Sequence, residues 1–297
     1  MRTTLVTDGS DRSAHDALRR IDAEAAAEHG WNPLGESVWR DLADPAPDSR
    51  IVVVREGDDP VAAVHACRTR RGWTLAVAAR DDVVPPTATA CAAVAELGGG
   101  TITAWVTDSG SPGSLAARAS LRSVGLAPTR RLRRLEVALP VRVAPFPPGI
   151  EVGPFTDADV EGWLNVNNRA FPDHSEQGDW DTERFARRRA EAWFDPADLR
   201  CAREASRLVG SCWTKAVHEL DRPPIGEIYV IAVDPDHHRR GLGAALVTEG
   251  LDHQRRTHGA EIGMLYTESD NSAALALYGS LGFEAVRTDE AWTGTVG

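Results

Sequence analysis

One segment of this 297-residue chain, a basic turn that contains glycine, has residue types that suit the binding of an anion. An apolar run ends at Val233, and a helical pattern begins near Gly241 and Gly243. This order of strand, turn and helix brings backbone N–H groups and the positive end of a helix dipole to one point, which suits a pyrophosphate. Glycine lets the backbone approach the ligand because it has no Cβ, and Arg239 and Arg240 add positive charge. The turn therefore predicts an anion site.

Apolar strands and amphipathic helices surround this turn and must position it. The apolar periodicity predicts strands over 150–155, 199–204, 208–218, 225–233 and 262–267, and helices over about 241–257 and 272–281. A short turn at Ala205-Ser206 makes the early strands antiparallel, whereas the last part alternates between strand and helix. The region is therefore predicted to be an α/β fold.

A proline-rich stretch at 144–149, Ala-Pro-Phe-Pro-Pro-Gly, divides the chain into halves of similar length. It has no strand or helix periodicity and few N–H donors for a sheet. We therefore predict one domain over 1–143, a linker over 144–149 and a second domain over 150–297.

The two halves contain matching segments, with a small change of offset between the two matches. The segment 114–121, followed by 123–126, aligns with 271–278, followed by 280–283, and 72–77 lies opposite 226–231. Such internal similarity indicates a duplicated fold. In this alignment Trp73 stands opposite Glu227, and Leu121 stands opposite Tyr278.

The overall composition excludes several classes of function. A formal net charge of −11 argues against non-specific binding to nucleic acid, and no apolar run approaches the length of about 20 residues that crosses a bilayer. No secretion signal is apparent at the N-terminus, so we expect a cytoplasmic monomer without a membrane partner. The four cysteines form no C-x-x-C pair, which argues against a zinc site or a disulfide framework. They are Cys67, Cys91, Cys201 and Cys212.

The C-terminal half resembles the GNAT acetyltransferase family. A strand, a basic glycine turn, a second strand and a helix that ends in Tyr-x-x-x-Gly-Phe follow that family's pattern, with Tyr278 and Phe283 in the last motif. His238 stands where the family usually has Gln or Arg, but the backbone amide is the group that the ligand needs there. The resemblance implies two tandem GNAT domains, each a mixed, mostly antiparallel sheet flanked by helices. It also implies acetyl transfer from acetyl-CoA to a primary amine, without a metal.

The same resemblance implies which residues would contact acetyl-CoA. The backbone N–H groups of Ile231, Ala232 and Val233 would meet the thioester carbonyl. The basic turn and the starts of the two helices would supply the other contacts, which are His238, Arg239, Arg240, Gly241, Leu242, Gly243, Ala244, Asn271, Ser272, Ala273, Ala274, Leu275 and Ala276.

Acetyl transfer needs a base for the attacking amine and an acid for the leaving thiolate. Glu227 lies at the start of the central strand, on the same face as Tyr229, and is the candidate base. Tyr278 stands where the family places the acid. An exposed glutamate at a strand end and a core tyrosine are the alternatives. The first half lacks both groups, and its loop at 80–87 has no glycine, two prolines and two acids, so that half is predicted to be a degenerate domain.

Further segments resemble the mycothiol synthase family of tandem-GNAT enzymes. They are the segments 35–39, 166–171, 176–178, 212–215, 226–230 and 265–271. The resemblance implies that the acceptor is the cysteinyl amine of cysteinyl-glucosaminyl-inositol, an amino sugar–inositol conjugate of cysteine. The implied acceptor contacts are Glu36, Glu176, Lys215, Glu227 and Tyr266.

Two other functions stay open from the sequence. One is a GNAT enzyme that acts on another small-molecule or peptide amine, and the other is a non-catalytic acyl-CoA sensor. Four histidines raise the question of a metal, but none has an acidic or cysteine partner at ligand spacing, so we expect them to be solvated. They are His237, His238, His253 and His258.

Overall fold

The computed structural model describes residues 2–29, 33–69, 72–172, 177–219 and 222–297. The chain forms two compact units. The first comprises Met1–Arg133 together with Arg287–Gly297, and the second comprises Arg134–Val286. None of the described helices is long and apolar enough to cross a membrane.

The first unit is a mixed sheet with helices on both faces. Its elements are β1 (Arg2–Asp8), α1 (Arg12–His29), α2 (Glu36–Ala43), β2 (Arg50–Glu56), β3 (Asp59–Thr69), β4 (Gly72–Ala79), α3 (Thr87–Glu96), β5 (Gly100–Thr107), α4 (Pro112–Ser123) and the first part of β6 (Ala127–Ala138). Strands β1 to β4 are joined in antiparallel pairs, and β4 pairs with β5 in parallel. Ile51 and Val53 pack towards α1 and α2, whereas Val52 packs towards α3 and α4. Because β2 is buried on both faces, its apolar run is nearly continuous.

The second unit repeats this arrangement. Its elements are the last part of β6, β7 (Ile150–Pro154), α5 (Val160–Ala170), α6 (Thr182–Arg189), β8 (Leu199–Glu204), β9 (Arg207–Val217), β10 (Ile225–Val233), α7 (Leu242–His258), β11 (Ile262–Glu268), α8 (Ser272–Ser280) and the start of β12 (Glu284–Val296). The strand order is β6-β11-β10-β9-β8-β7, and β10 and β11 are parallel. An aliphatic core lies under α7 and α8, and an aromatic core around Trp163, Phe185 and Trp213 lies under α5 and α6.

The predicted elements of the C-terminal half are present, and their ends lie within one or two residues of the predicted ones. Both units have the predicted mixed sheet flanked by helices, so the predicted α/β fold class is confirmed.

The division into units differs from the predicted one in two ways. The chain leaves the first unit inside β6, at Arg133, rather than at the proline-rich stretch. That stretch is held inside the second unit, because the Ala144 N–H donates to Thr248 Oγ1 at 2.9 Å and Phe146 packs on the aliphatic core. Residues from Arg287 onward belong to the first unit, where β12 pairs with β5 from Asp289↔Thr107 to Val296↔Gly100.

Candidate active site

A β-bulge interrupts the pairing of β10 with β9 at Tyr229. Ile228 pairs with Thr214 and Val230 pairs with the next residue of β9, so Tyr229 has no opposite residue. The extra residue shifts the alternation of side chains. Ile228 packs on the aliphatic core, whereas Tyr229 and Val230 both pack on the aromatic core. Glu227 precedes the bulge and points to the aromatic side, opposite to Ile228.

The parallel strands β10 and β11 separate beyond this bulge. Their pairing runs from Ile225↔Ile262 to Ile228↔Leu265 and stops there, although β10 continues to Val233 and every residue of both strands is described. The predicted contact residues Ile231 to Val233 lie in the separated part, where they pair with β9 on their other side. The separation leaves one edge of β10 facing a wedge between the two strands.

The basic turn follows directly on the separated end of β10. Asp234 is fully buried, accepts a hydrogen bond from the Asp236 N–H at 3.0 Å, and pairs with Arg169 at 3.1 Å and Arg207 at 3.0 Å. Nε2 of His238 lies 3.0 Å from the carbonyl oxygen of Val233 and ties the turn to the strand. These bonds hold the start of the turn in place.

The end of the turn presents the start of α7 to the solvent. Gly241 has a φ of +83°, no side chain caps the helix, and a Cβ at this glycine would meet no atom within 4 Å. Arg239 also adopts a left-handed conformation, with a φ of +58°. The first N–H groups of a helix, here from Leu242 to Ala244, have no partner within the helix. The exposed turn therefore fits the anionic group of a ligand.

A buried charged pair lies beside the bulge. Nζ of Lys215 is 3.3 Å from Oε2 of Glu227, and the two residues are direct neighbours across β9 and β10. The same Nζ lies 5.3 Å from the ring centroids of both Trp193 and Tyr229. The guanidinium of Arg188 lies 5.5 Å from the centroid of the Tyr229 ring. The predicted base is thus held beside a cation whose surroundings are aromatic.

Tyr278 lies on α8 and is 6% exposed, within the aliphatic core. Burial raises the pKa of its phenol, and the neighbouring Cys212 adds to the shift. The ring packs against Phe283 with the centroids 5.6 Å apart. A phenol is protonated at neutral pH with or without this shift, so Tyr278 carries a proton that it can donate.

Asn271 caps α8, because its side chain accepts a hydrogen bond from the Ala274 N–H at 3.0 Å, and Ser272 to Ala276 form the first turns of that helix. Tyr266 lies on β11 beyond the last pair with β10 and is 37% exposed. Glu36 begins α2, but its side chain is outside the described part of the chain, and Glu176 lies outside the described residues altogether.

Two asparagines at the end of α5 hold the segment that follows Glu176. Nδ2 of Asn167 donates to the Gln177 carbonyl at 2.6 Å. Asn168 donates to the Trp180 carbonyl at 2.8 Å and accepts from the Trp180 N–H at 2.9 Å. These bonds give the asparagines a structural role that sequence reasoning did not assign to them.

Sequence reasoning also missed a network of two arginines and two glutamates. Arg134 is 2% exposed and makes a two-point contact with Glu219, at 2.6 and 2.9 Å. Glu136 and Arg222 complete the network, with contacts between 2.6 and 3.0 Å. Burial lowers the pKa of Arg134, but the glutamates and the nearby Tyr266 outweigh burial and raise it. The partners lie up to 86 positions apart, so no local pattern marks them.

The expectation of solvated histidines was wrong for two of the four. His237 is 6% exposed, with Nε2 3.2 Å from Glu204, and His253 is 8% exposed, with Nε2 2.8 Å from Asp198. These acidic partners lie on other strands and turns, so the spacing of residues along the chain does not reveal the contacts.

The first unit shares the separation of its parallel strands but lacks, in its described strands, the bulge of β10. The pairing of β4 with β5 stops at Ala76↔Trp105, although β4 continues to Ala79. Its strands β3 and β4 pair one to one from Thr69↔Gly72 to Ala62↔Ala79, without a bulge. Trp73, opposite Glu227 in the repeat, is a core residue whose indole donates to the Gly99 carbonyl at 3.0 Å. Leu121, opposite Tyr278, is fully buried. In the loop after β4, Asp81 accepts from the Gly113 N–H at 2.9 Å and adds a negative charge.

Comparisons with known proteins agree with this geometry. The sequence profile of the Acetyltransferase (GNAT) family matches residues 160–283. A mycothiol acetyltransferase from Nocardia farcinica is 35% identical, over 98% of this chain and 97% of its own length.

Solved structures support the tandem fold. A GCN5-related N-acetyltransferase from Sphaerobacter thermophilus has a TM-score of 0.76 and 17% identity, over 99% of this chain and 96% of its own. A tandem GNAT protein of the clavulanic acid biosynthesis pathway has a TM-score of 0.69 and 17% identity, over 100% of this chain and 99% of its own. Identities this low show the fold alone. Because the Nocardia farcinica relative matches over nearly the whole of both chains, this chain is an acetyltransferase that belongs to the mycothiol acetyltransferase family of tandem GNAT proteins.

Proposed function

We propose that this chain transfers the acetyl group of acetyl-CoA to the cysteinyl amine of cysteinyl-glucosaminyl-inositol, which gives mycothiol. The observation that carries the proposal is the separation of β10 from β11 directly before the basic turn, with Glu227 at the point of separation. The family of the similar protein in Nocardia farcinica supports the choice of acceptor. The proposed acceptor contacts in the second unit are Lys215, Glu227 and Tyr266.

The chain would hold acetyl-CoA along the wedge. The backbone N–H groups of the separated part of β10 would bind the thioester carbonyl, and the start of α7 would bind the pyrophosphate. Arg239 and Arg240 would add positive charge in a chain whose formal net charge is −11. Acetyl-CoA supplies an acetyl group that is activated as a thioester.

Two side chains would move the protons of the reaction. Glu227 would accept the proton that the amine loses as its nitrogen bonds to the carbonyl carbon. Tyr278 would give its proton to the sulfur when the carbon–sulfur bond breaks, which releases CoA as a thiol. Lys215 would orient Glu227, because the ammonium lies 3.3 Å from the carboxylate. The products are an amide and free CoA.

We further infer that the first unit does not catalyse the reaction. Trp73 and Leu121 stand where the base and the acid would be, and both are core residues. The one-to-one pairing of β3 with β4 supports this inference, because β4 has no bulge to redirect its side chains.

The test gives the purified chain acetyl-CoA and a panel of amines, and follows each acetylated product by mass spectrometry. The panel contains cysteinyl-glucosaminyl-inositol, the same conjugate without cysteine, an aminoglycoside and a peptide with a free N-terminus. We expect the first to have the highest kcat/KM. Faster acetylation of the aminoglycoside or the peptide would disprove the proposed acceptor. Binding of acetyl-CoA without transfer to any amine would favour the sensor function.

A further inference from the structure

Three potential metal ligands lie together at the C-terminal end of α7, away from the wedge. Asp198 ends a 3-10 turn over Pro196–Asp198, and His253 and His258 lie in the last turns of α7. Oδ1 of Asp198 is 2.8 Å from Nε2 of His253 and 2.9 Å from Nε2 of His258. The three atoms lie within 4.8 Å of one another. Both histidines therefore direct the same ring nitrogen at one carboxylate oxygen.

Buried hydrogen bonds hold the backbone of Asp198 in place. Oγ1 of Thr214 donates to the Asp198 carbonyl at 2.9 Å, and Nε2 of Gln254 donates to the same hydroxyl at 2.8 Å. The Asp198 N–H donates to the Asp195 carbonyl at 3.0 Å. These bonds fix the backbone from which the Asp198 carboxylate extends.

The burial of the group leaves one side open to the solvent. The side chains of Asp198 and His253 are 3% and 11% exposed, whereas that of His258 is 28% exposed. An ion can reach the three donor atoms past His258 and keep a water molecule as a further ligand. The buried carboxylate of Asp198 also provides negative charge for a divalent cation.

The donor atoms fit a particular class of ion. Two imidazole nitrogens and one carboxylate oxygen suit Zn²⁺ and related transition metals rather than Ca²⁺ or Mg²⁺, which prefer oxygen ligands. Bonds of about 2.0–2.1 Å around a tetrahedral ion place neighbouring ligand atoms about 3.3 Å apart. The observed separations of 2.8 and 2.9 Å need to open by about half an ångström for such an ion. Small rotations of both histidine side chains supply that movement.

We propose that Asp198, His253 and His258 bind one Zn²⁺ ion, with water as the fourth ligand, at a site separate from the acetyl-transfer wedge. Adjacent residues of a strand point to opposite faces, so Thr214 reaches Asp198 while Lys215 faces Glu227. The ion lies on the α7 side of β9 and joins the end of α7 to the start of β8. Its role is to stabilise this end of the second unit, and it takes no part in the transfer.

The test measures metal binding directly. Untagged chain is treated with a chelator, dialysed and titrated with Zn²⁺ by calorimetry, and Co²⁺ is then added as a spectroscopic probe. We expect one ion per chain, a higher melting temperature with Zn²⁺, and a visible Co²⁺ absorption typical of four-coordinate geometry. The affinity of His258→Gln should be weaker by about tenfold or more. Glutamine keeps an N–H donor for Asp198 but removes the imidazole nitrogen, so this variant separates metal binding from hydrogen bonding.

His218→Ala is the control, because it removes an exposed histidine outside the group. It should bind Zn²⁺ like the unchanged chain. His253→Gln is the second ligand variant, and its circular dichroism spectrum checks that it folds. Equal Zn²⁺ affinity in the unchanged chain and His258→Gln, or no binding by the unchanged chain, would show that the group is a hydrogen-bonded cluster only and would overturn the proposal.

Discussion

Lys215 and Glu227 face each other across β9 and β10, with Nζ of the lysine 3.3 Å from Oε2 of the glutamate. Their side chains are only 8% and 13% exposed, so the pair is shielded from bulk water. Charges in such surroundings interact more strongly than on an open surface. The orientation of the proposed base therefore depends on the residue opposite to it.

Replacing Lys215 should affect the acceptor more than acetyl-CoA. In Lys215→Met the aliphatic stem remains but the ammonium beside Glu227 is lost. We expect kcat/KM for the acceptor to fall and KM for acetyl-CoA to stay the same, with a loss of about 3 kcal/mol of stability because a buried carboxylate loses its cation. Steady-state kinetics and urea unfolding measure these effects. An unchanged acceptor kcat/KM in the folded variant would contradict a positioning role.

Replacing Glu227 tests the base. We expect Glu227→Gln to lower turnover by about 100-fold or more at neutral pH and to leave acetyl-CoA affinity nearly unchanged. An α-amine has a pKa of about 7.7–8.0, so the loss should shrink as the pH rises and the free amine becomes the main form. Glu284→Gln, which changes an exposed glutamate at the start of β12, is the control. Equal turnover in Glu227→Gln would exclude Glu227 as the base.

Replacing Tyr278 tests the acid. Tyr278→Phe keeps the ring in the aliphatic core and removes only the proton donor, so we expect turnover to fall and acetyl-CoA to bind as before. Burial raises the pKa of this phenol, so below pH 10 it stays protonated in both the folded and the unfolded chain. Above pH 10 the unfolded chain loses the proton first, and stability should fall with rising pH. The stability of Tyr278→Phe should not show this fall above pH 10. Thermal unfolding of both chains between pH 9 and 11 measures the difference.

Two glycines at opposite ends of α7 form a matched pair. Gly241 has a φ of +83° and Gly259 has a φ of +67°, and a Cβ at either would meet no atom within 4 Å. Alanine at either position should cost about 1–2 kcal/mol, because the left-handed conformation is unfavourable for it. Gly241→Ala alone should raise KM for acetyl-CoA, because it lies in the proposed phosphate turn. A similar rise in Gly259→Ala would mean that helix stability, rather than the turn, determines acetyl-CoA binding.

Local signals in the sequence were sufficient for much of the second unit. Strand β10, the basic turn and α7 follow from an apolar run, a proline and glycines at short spacing, and the structure has them within one residue of the predicted bounds. The bulge at Tyr229 could not be predicted in this way, because a bulge is defined by the partner strand. Contacts between distant residues were missed for the same reason, such as Arg134 with Glu219 and Asp198 with His253.

The predicted domain boundary illustrates the same limit. The proline-rich stretch has the composition of a linker, yet its contacts place it in the second unit. The pairing of β12 with β5 joins segments more than 180 positions apart. The local periodicity of a sequence carries no information about contacts over such a distance. Sequence similarity between the halves indicated the duplication but could not show which unit contains the last strand.

The position of β12 affects how the first unit folds while the chain is being synthesised. Trp292 on this strand is fully buried in the core of the first unit, so that core is incomplete while only the residues up to Arg133 have left the ribosome. At about 5–20 residues per second, the roughly 150 residues in between take about 8–30 s to synthesise. During that time β5 is an unpaired sheet edge in a nascent protein, and such an edge is a site at which chaperones or other chains bind. The first unit, although most of it is translated first, can therefore complete its core only after β12 has been translated.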